Sequence, residues 1–190
     1  MKIERIRIKN FRSIKDQEIP VTPILGLIGA NNAGKSNILK AINLVLGERF
    51  PIPHSITRKD FYNEDPSNNI EIEIFFDSCF VSYDKECNAV VFKTIYDNGS
   101  DNWETELHAI EKYKYEYQKY KMKGDTRDQI AVIYIPASRD FTKQLQGSSE
   151  WELFGKVKKQ FNYLFPENRK SELEYKFKEI KDLLMEAEKF

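Results

Sequence analysis

The stretch Gly29–Ser36, GANNAGKS, constrains this chain more than any other. It is G-x-x-x-x-G-K-S, a spacing that serves one chemistry. The glycines let the backbone turn so that successive N–H groups converge on phosphate oxygens, Lys35 reaches the β- and γ-phosphates as a point charge, and the Ser36 hydroxyl can ligate Mg2+. Such a loop works between a strand and a helix. Before it, Ile24, Leu25, Leu27 and Ile28 form an apolar run broken only by Gly26, the pattern of a strand covered on both faces. After it, Asn37–Leu46 is apolar at helical spacing (Ile38, Ala41, Ile42, Val45, with Leu39 and Leu46) and meets a stop at Gly47. Apolar nearly all round, this helix is expected to be buried. ATP with Mg2+ is the expected cofactor.

Composition narrows the classes around that loop. At 190 residues the chain suits one domain or one domain with an appendage. Thirty basic and thirty acidic residues cancel, so no global charge draws it to nucleic acid or to an anionic membrane. No apolar run approaches a membrane span and the N-terminus has no signal-peptide pattern, so a cytoplasmic setting without membrane contact is expected. Cys79 and Cys87 have no metal-type spacing with His54 and His108, and reduced thiols are expected.

Two short strands precede the loop strand: Lys2–Lys9, with Ile6 and Ile8 in alternation, and Gln17–Val21, joined by the turn Asn10-Phe-Arg-Ser13. Residues 48–67 read as loop, and Asp60, Glu64 and Asp65 read as turn and cap chemistry in preference to a metal site. Asn69–Phe76 alternates Ile70, Ile72 and Ile74 against Glu71 and Glu73, which suits an antiparallel sheet with one partly wet face. Ala89–Tyr96, the turn signal Asn98-Gly99 and Trp103–Leu107 complete a small antiparallel β subdomain, about 69–107, beside the nucleotide core. Lys112–Lys123 interleaves Tyr113, Tyr115, Tyr117 and Tyr120 with basic residues. Stacking on bases is one reading of it, and an edge strand or charged helix whose tyrosines pack on the β subdomain is the favoured one. Ile130–Ile135 reads as a second buried strand, followed by Pro136–Asp140, where α/β nucleotide proteins place ligand contacts, so Arg139 and Asp140 are candidates against a simple helix cap. From Thr142 to Phe190 the pattern is helical.

These motifs together resemble the N-terminus of ABC-type ATPases of the SMC and RecF kind. The shared pattern is a first strand ending in N-F-R-S (Asn10–Ser13), a second strand, and G-x-N-x-x-G-K-S-N (Gly29–Asn37). The OLD (overcoming lysogenisation defect) family is the nearest match, also through Asp60-Phe61, the segment NEDPSNNIEIEI and YIPASRD at Tyr134–Asp140. The resemblance implies an α/β P-loop NTPase of ABC/SMC-like type, with a mixed sheet, the antiparallel β subdomain and a C-terminal helical segment. Residues 1–141 would be the ATPase lobe, and 142–190 a helical arm or the start of a dimerisation region. It implies that Asn31 contacts the terminal phosphate, that Gly29, Asn32, Ala33, Gly34, Lys35, Ser36 and Asn37 hold phosphates and Mg2+, and that Arg12 and Ser13 lie near the nucleotide. Tyr134–Asp140 sits where related ATPases keep a Q-loop, but no glutamine stands there.

ABC-type ATPases also need an L-S-G-G-like signature and an apolar strand ending in acidic residues, and neither follows Asp140. OLD members carry a nuclease domain with a Glu and a D-x-D pair, and no D-x-D occurs here. The expectation is therefore one lobe of a longer or split system, with half a catalytic site. It would be completed by a missing C-terminal portion or in a homodimer, with DNA as a candidate partner of the full-length assembly. The full protein would couple ATP to a DNA-directed nuclease in DNA repair or phage defence. The alternatives are an SMC- or RecF-like maintenance or defence ATPase without its own nuclease, and a module that holds nucleotide without turnover. A small-molecule kinase is more distant.

Overall fold

The computed structural model describes residues 1–31, 33–47, 55–111 and 119–122, with the isolated positions 126, 129, 130, 132, 171, 175, 176, 178 and 179. The chain divides into two compact units, Met1–Val132 and Ile133–Phe190. The expected helical stretch 142–190 lies outside the described residues apart from those five last positions, and the expected strand Ile130–Ile135 lies outside them apart from Ile130 and Val132.

The first unit is built on one sheet. Its strands are β1 (Ile3–Phe11), β2 (Ile14–Pro20), β3 (Glu71–Ser82), β4 (Lys85–Asp97), β5 (Asn102–Glu111) and β6 (Lys119–Lys121), in the order β2-β1-β3-β4-β5-β6. Every neighbouring pair is antiparallel. This corrects two expectations. Among the described residues the sheet is not mixed. The strands expected as a separate β subdomain are joined to the N-terminal pair, because β1 pairs with β3 as well as with β2.

The register explains the core. Side chains alternate along each strand, so aligned positions form rows across one face. Ile8, Ile72, Phe92 and Leu107 make one row, and Ile6, Ile74, Val90 and Ala109 the next. All eight are buried. Covering each large aliphatic or aromatic side chain in such a row contributes about 1.5–3 kcal/mol. The longest helix among the described residues, α1 (Lys35–Leu46), lays Ala41, Val45 and Leu46 on this face, with Ile38, Ile42 and Leu44 at its margin. Leu39 is exposed, so α1 buries one stripe and is not apolar-covered all round as expected. The opposite sheet face is charged. Arg7 stands across from Glu73 and Lys9 across from Glu71, and Lys93 Nζ lies 3.0 Å from Glu71. Among the described residues Phe75, Ala89, Val91 and Ile110 form an apolar island there, with the Arg5 guanidinium 3.9 Å above the Phe75 ring.

The apolar run before the phosphate loop is the main correction. Ile24–Ile28 belongs to no strand, and Ile24 and Ile28 are 90% and 98% exposed. A strand apolar on both faces needs neighbours on both edges and layers above and below. Among the described residues the antiparallel sheet closes without it.

Two further readings resolve simply. Cys79 and Cys87 are free thiols, and burial pushes the Cys87 thiol up to about 11. Of the tyrosine-rich stretch, 112–118 lies outside the described residues. Its end forms the edge strand β6, where the Tyr120 hydroxyl donates to Glu111 at 2.8 Å and its ring lies 6.0 Å from that of Tyr83. No helix among the described residues is long and apolar enough to cross a membrane.

Candidate functional site

The site is assembled from three segments: the β1–β2 turn, the phosphate loop with the start of α1, and the 3₁₀ turn Arg58–Asp60. The loop imposes the first requirement. Gly34 is the N-cap of α1 and adopts φ 91°, in the left-handed region where a Cβ is strained. A side chain there would also meet Ser13 Oγ at 3.2 Å. The helix it opens has no side-chain cap and no acidic residue in its first turn. The first N–H groups of a helix have no intrahelical partner, and the positive end of the dipole lies there, so this terminus is matched to an anion by construction.

Lys35 completes the cradle. Its ammonium donates to the carbonyls of Gly29 at 2.7 Å and Ala30 at 2.6 Å, so the side chain is folded back across the loop. Ala33 N–H closes the loop on Ala30 O at 3.2 Å, and Asn37 and Ile38 N–H both converge on Gly34 O, at 2.9 and 3.2 Å. Asn31 and Ser36 are exposed at the loop and the helix start. Asn32 lies outside the described residues, as do Arg139 and Asp140.

The β1–β2 turn reaches this loop directly. Asn37 Nδ2 donates to Ser13 Oγ at 2.9 Å, across 24 residues of chain. Arg12, the preceding residue, is held on its other side by Asp60. Arg12 Nε donates to Asp60 Oδ1 at 2.9 Å, Nη2 lies 2.7 Å from the same oxygen, and Arg12 N–H donates to Asp60 O at 2.8 Å. The second carboxylate oxygen, Oδ2, accepts from Thr57 N–H at 2.9 Å and Thr57 Oγ1 at 2.8 Å. Sequence reasoning placed Ser13 and Arg12 in the site and gave Asp60 cap chemistry. It overlooked that Asp60 caps Thr57 and grips Arg12 at once. The available signal was the spacing Thr57-x-x-Asp60, which is that of a capping box.

The surroundings stiffen the same segment. Phe11 bridges to Phe61, and the Phe61 ring packs edge-on to Trp103 at 5.0 Å. Arg58 pairs with Asp101 at the β4–β5 turn, and Tyr96 also donates to that carboxylate. The Tyr96 hydroxyl first, and Arg58 second, hold the Asp101 carboxyl below its ordinary range. Asp65 is held low by the hydroxyl and N–H of Ser67, an Asx-type turn. No group of acidic, histidine or cysteine residues among the described ones could hold a metal ion.

Comparison with known proteins agrees with this geometry. A family model described as an AAA ATPase domain matches residues 1–189. The chain is 26% identical over 191 residues to an OLD nuclease of Thermus scotoductus, covering 97% of this chain and 34% of that protein. It is 36% identical over 73 residues to the Old nuclease of Escherichia phage P2, covering 38% of this chain and 11% of that protein. It is 35% identical over 79 residues to the DNA replication and repair protein RecF of Chlamydia caviae, covering 40% of this chain and 20% of that protein. The chain thus spans a minor part of each relative's length.

Proposed function

The chain belongs to the AAA ATPase domain family and is an ATPase region of the ABC/SMC-like type, and from that premise we propose that it is the nucleotide-binding lobe of an OLD-like ATPase. In the whole protein, ATP would control a DNA-directed nuclease, in DNA repair or phage defence. The observation that carries the binding reading is the Lys35 ammonium at 2.6–2.7 Å from two loop carbonyls, at the uncapped start of α1. Phosphate oxygens would take over that ammonium and the first N–H groups of the helix. Asn31 would face the terminal phosphate, and the Ser36 hydroxyl would complete the coordination of nucleotide-borne Mg2+. Mg2+ would supply charge neutralisation at the phosphates. Ser13 and Asn37 would fix where the loop stands relative to the sheet.

Completion by other residues is part of the proposal. The apolar pair Ile24 and Ile28 stands in water beside the loop. The sequence carries no signature and no acidic strand end after Asp140. Both features suit a lobe that works with a further segment or in a homodimer. The purified chain should then bind Mg·ATP and hydrolyse it near background. Lys35→Ala should weaken binding by roughly ten- to a hundredfold, since it removes a charge-assisted contact of about 1.5–3 kcal/mol. Sustained multiple turnover that Lys35→Ala abolishes would refute the half-site reading, and unchanged binding in that variant would refute the nucleotide reading.

The RecF match over 79 residues favours one alternative, a DNA-maintenance ATPase without a nuclease of its own. A Glu and a D-x-D pair encoded in the same system would decide for the nuclease.

A further inference from the structure

We propose that Asp60 is a positioning residue for the phosphate loop, acting through the β1–β2 turn. The inference rests on the nucleotide-binding reading above and adds a residue that the loop motif does not contain. Asp60 is 7% exposed, and its carboxylate accepts hydrogen bonds from Thr57 N–H, Thr57 Oγ1 and the Arg12 guanidinium. Its carbonyl takes the Arg12 N–H as well. Arg12 is therefore clamped by both main chain and side chain from a segment 48 residues away.

The clamp bears on a turn that would not hold its shape alone. Asn10 and Arg12 have φ of 54° and 52°, in the left-handed region that non-glycine residues avoid. Asn10 is tied by its side chain to Asn69 O at 3.1 Å, and Arg12 by Asp60. Ser13 is the next residue along the chain. Its Oγ accepts from Asn37 and stands 3.2 Å from the Cβ position of Gly34. Gly34 in turn precedes Lys35, whose side chain lies across the loop. A shift of Arg12 thus displaces Ser13 by covalent connection, and Ser13 is hydrogen-bonded to Asn37 in the first turn of α1, next to the phosphate loop. Hydrogen bonds and backbone links thus run from the buried Asp60 carboxylate through Arg12, Ser13 and Asn37 to the start of α1.

An ion pair that served folding alone would behave differently. Its loss would lower stability, and any change in nucleotide affinity would add to that of other substitutions. A positioning role predicts that the effect of Asp60 on affinity passes through Ser13 and vanishes without it. The test is a double-mutant cycle on the whole chain, with Mg2+ and a fluorescent ATP analogue as the probe and the melting temperature recorded alongside. Asp60→Asn keeps the shape but supplies one acceptor oxygen where two are used, and should weaken binding by about tenfold. In the Ser13→Ala background the same change should alter affinity by about twofold or less. Equal effects in both backgrounds would overturn the proposal, and so would an Asp60→Asn variant that melts early yet binds normally. If Asp60→Asn does not fold, Thr57→Ala removes one hydroxyl donor from the carboxylate and leaves the Arg12 pair. It should weaken binding about threefold with Ser13 present and not without it, and any other result refutes the proposal. Lys35→Ala separates the two claims: binding that needs Lys35 but ignores Asp60 overturns this inference alone.

Discussion

Asn37 and Ser13 meet at 2.9 Å, the helix side chain donating to the turn hydroxyl, so the start of α1 is fastened to the β1–β2 hairpin and not only to its own loop. One hydrogen bond of this kind contributes about 0.5–1.5 kcal/mol. Ser13→Ala should therefore lower the melting temperature by about 1–6 °C and, by loosening the loop, weaken Mg·ATP binding by roughly three- to tenfold, measured by thermal unfolding and isothermal titration calorimetry. Unchanged affinity would mean that the hairpin does not hold the loop.

Gly34→Ala should be more damaging. The φ of 91° puts any Cβ in strained backbone, which costs about 1–2 kcal/mol, and that Cβ would press on Ser13 Oγ. A fall in melting temperature of roughly 2–8 °C is expected. Binding should weaken further than in Ser13→Ala, because the loop itself is re-shaped. A variant as stable as the parent would contradict the assigned conformation.

Phe61 and Trp103 should respond very differently to truncation. Phe61 is 1% exposed and fills the space between the 3₁₀ turn and β5, so Phe61→Ala should lose about 3–5 kcal/mol in urea unfolding. The Trp103 indole Nε1 is buried and has no hydrogen-bond partner among the described residues. Trp103→Phe removes that orphan donor and keeps an aromatic ring, so its cost should stay below about 1 kcal/mol.

Glu73 gives a pH test. Burial first, and the charge of Glu71 second, push its carboxyl above the ordinary value of 4.5, while Arg7, Lys93 and Lys9 pull the other way. The folded chain then holds this proton more firmly than the unfolded chain. Stability from this group falls as pH rises from the ordinary value through the raised one, and stays reduced above it. Glu73→Gln should be more stable than the parent at pH 7.5, and the advantage should shrink below pH 4.5, followed by melting temperature. An advantage that persists in acid would point to packing instead.

Alternation made much of this fold legible. Ile6 and Ile8, and Ile70, Ile72 and Ile74, announced their strands because each buries one face. The helix after the loop was equally plain. Strand ends were not. β3 and β4 run on to a tight turn at Tyr83-Asp84, both residues with positive φ. Polar Asp77, Ser78 and Lys85, and an irregularity between Phe75 and Phe80, hide that continuation. The β1–β3 pairing joins residues 62 to 73 positions apart, and no local pattern encodes it. Ile24–Ile28 misled for a related reason: an apolar run records what a segment is suited to be covered by, and the cover is not local. At the site, the loop motif was visible in the letters themselves. The Asp60–Arg12 clamp needed the fold to bring its two halves together.

Between β2 and β3 the chain makes a single excursion, residues 21–70, and returns on the far side of β1. Its two attachment points lie on the strands flanking β1, about 10 Å apart across the sheet and about 13 Å apart along it, Pro20 opposite Arg5 and Glu71 opposite Lys9. A protease cut within the exposed run 24–28 therefore severs the polypeptide without opening the sheet. β1 stays zipped to β3 from Ile3 to Lys9 by main-chain hydrogen bonds that owe nothing to the broken peptide. The nicked molecule would persist as two complementing fragments, the shorter carrying β1, β2 and Ser13, the longer carrying the phosphate loop. The halves of the site could then be supplied, mixed and exchanged as separate polypeptides.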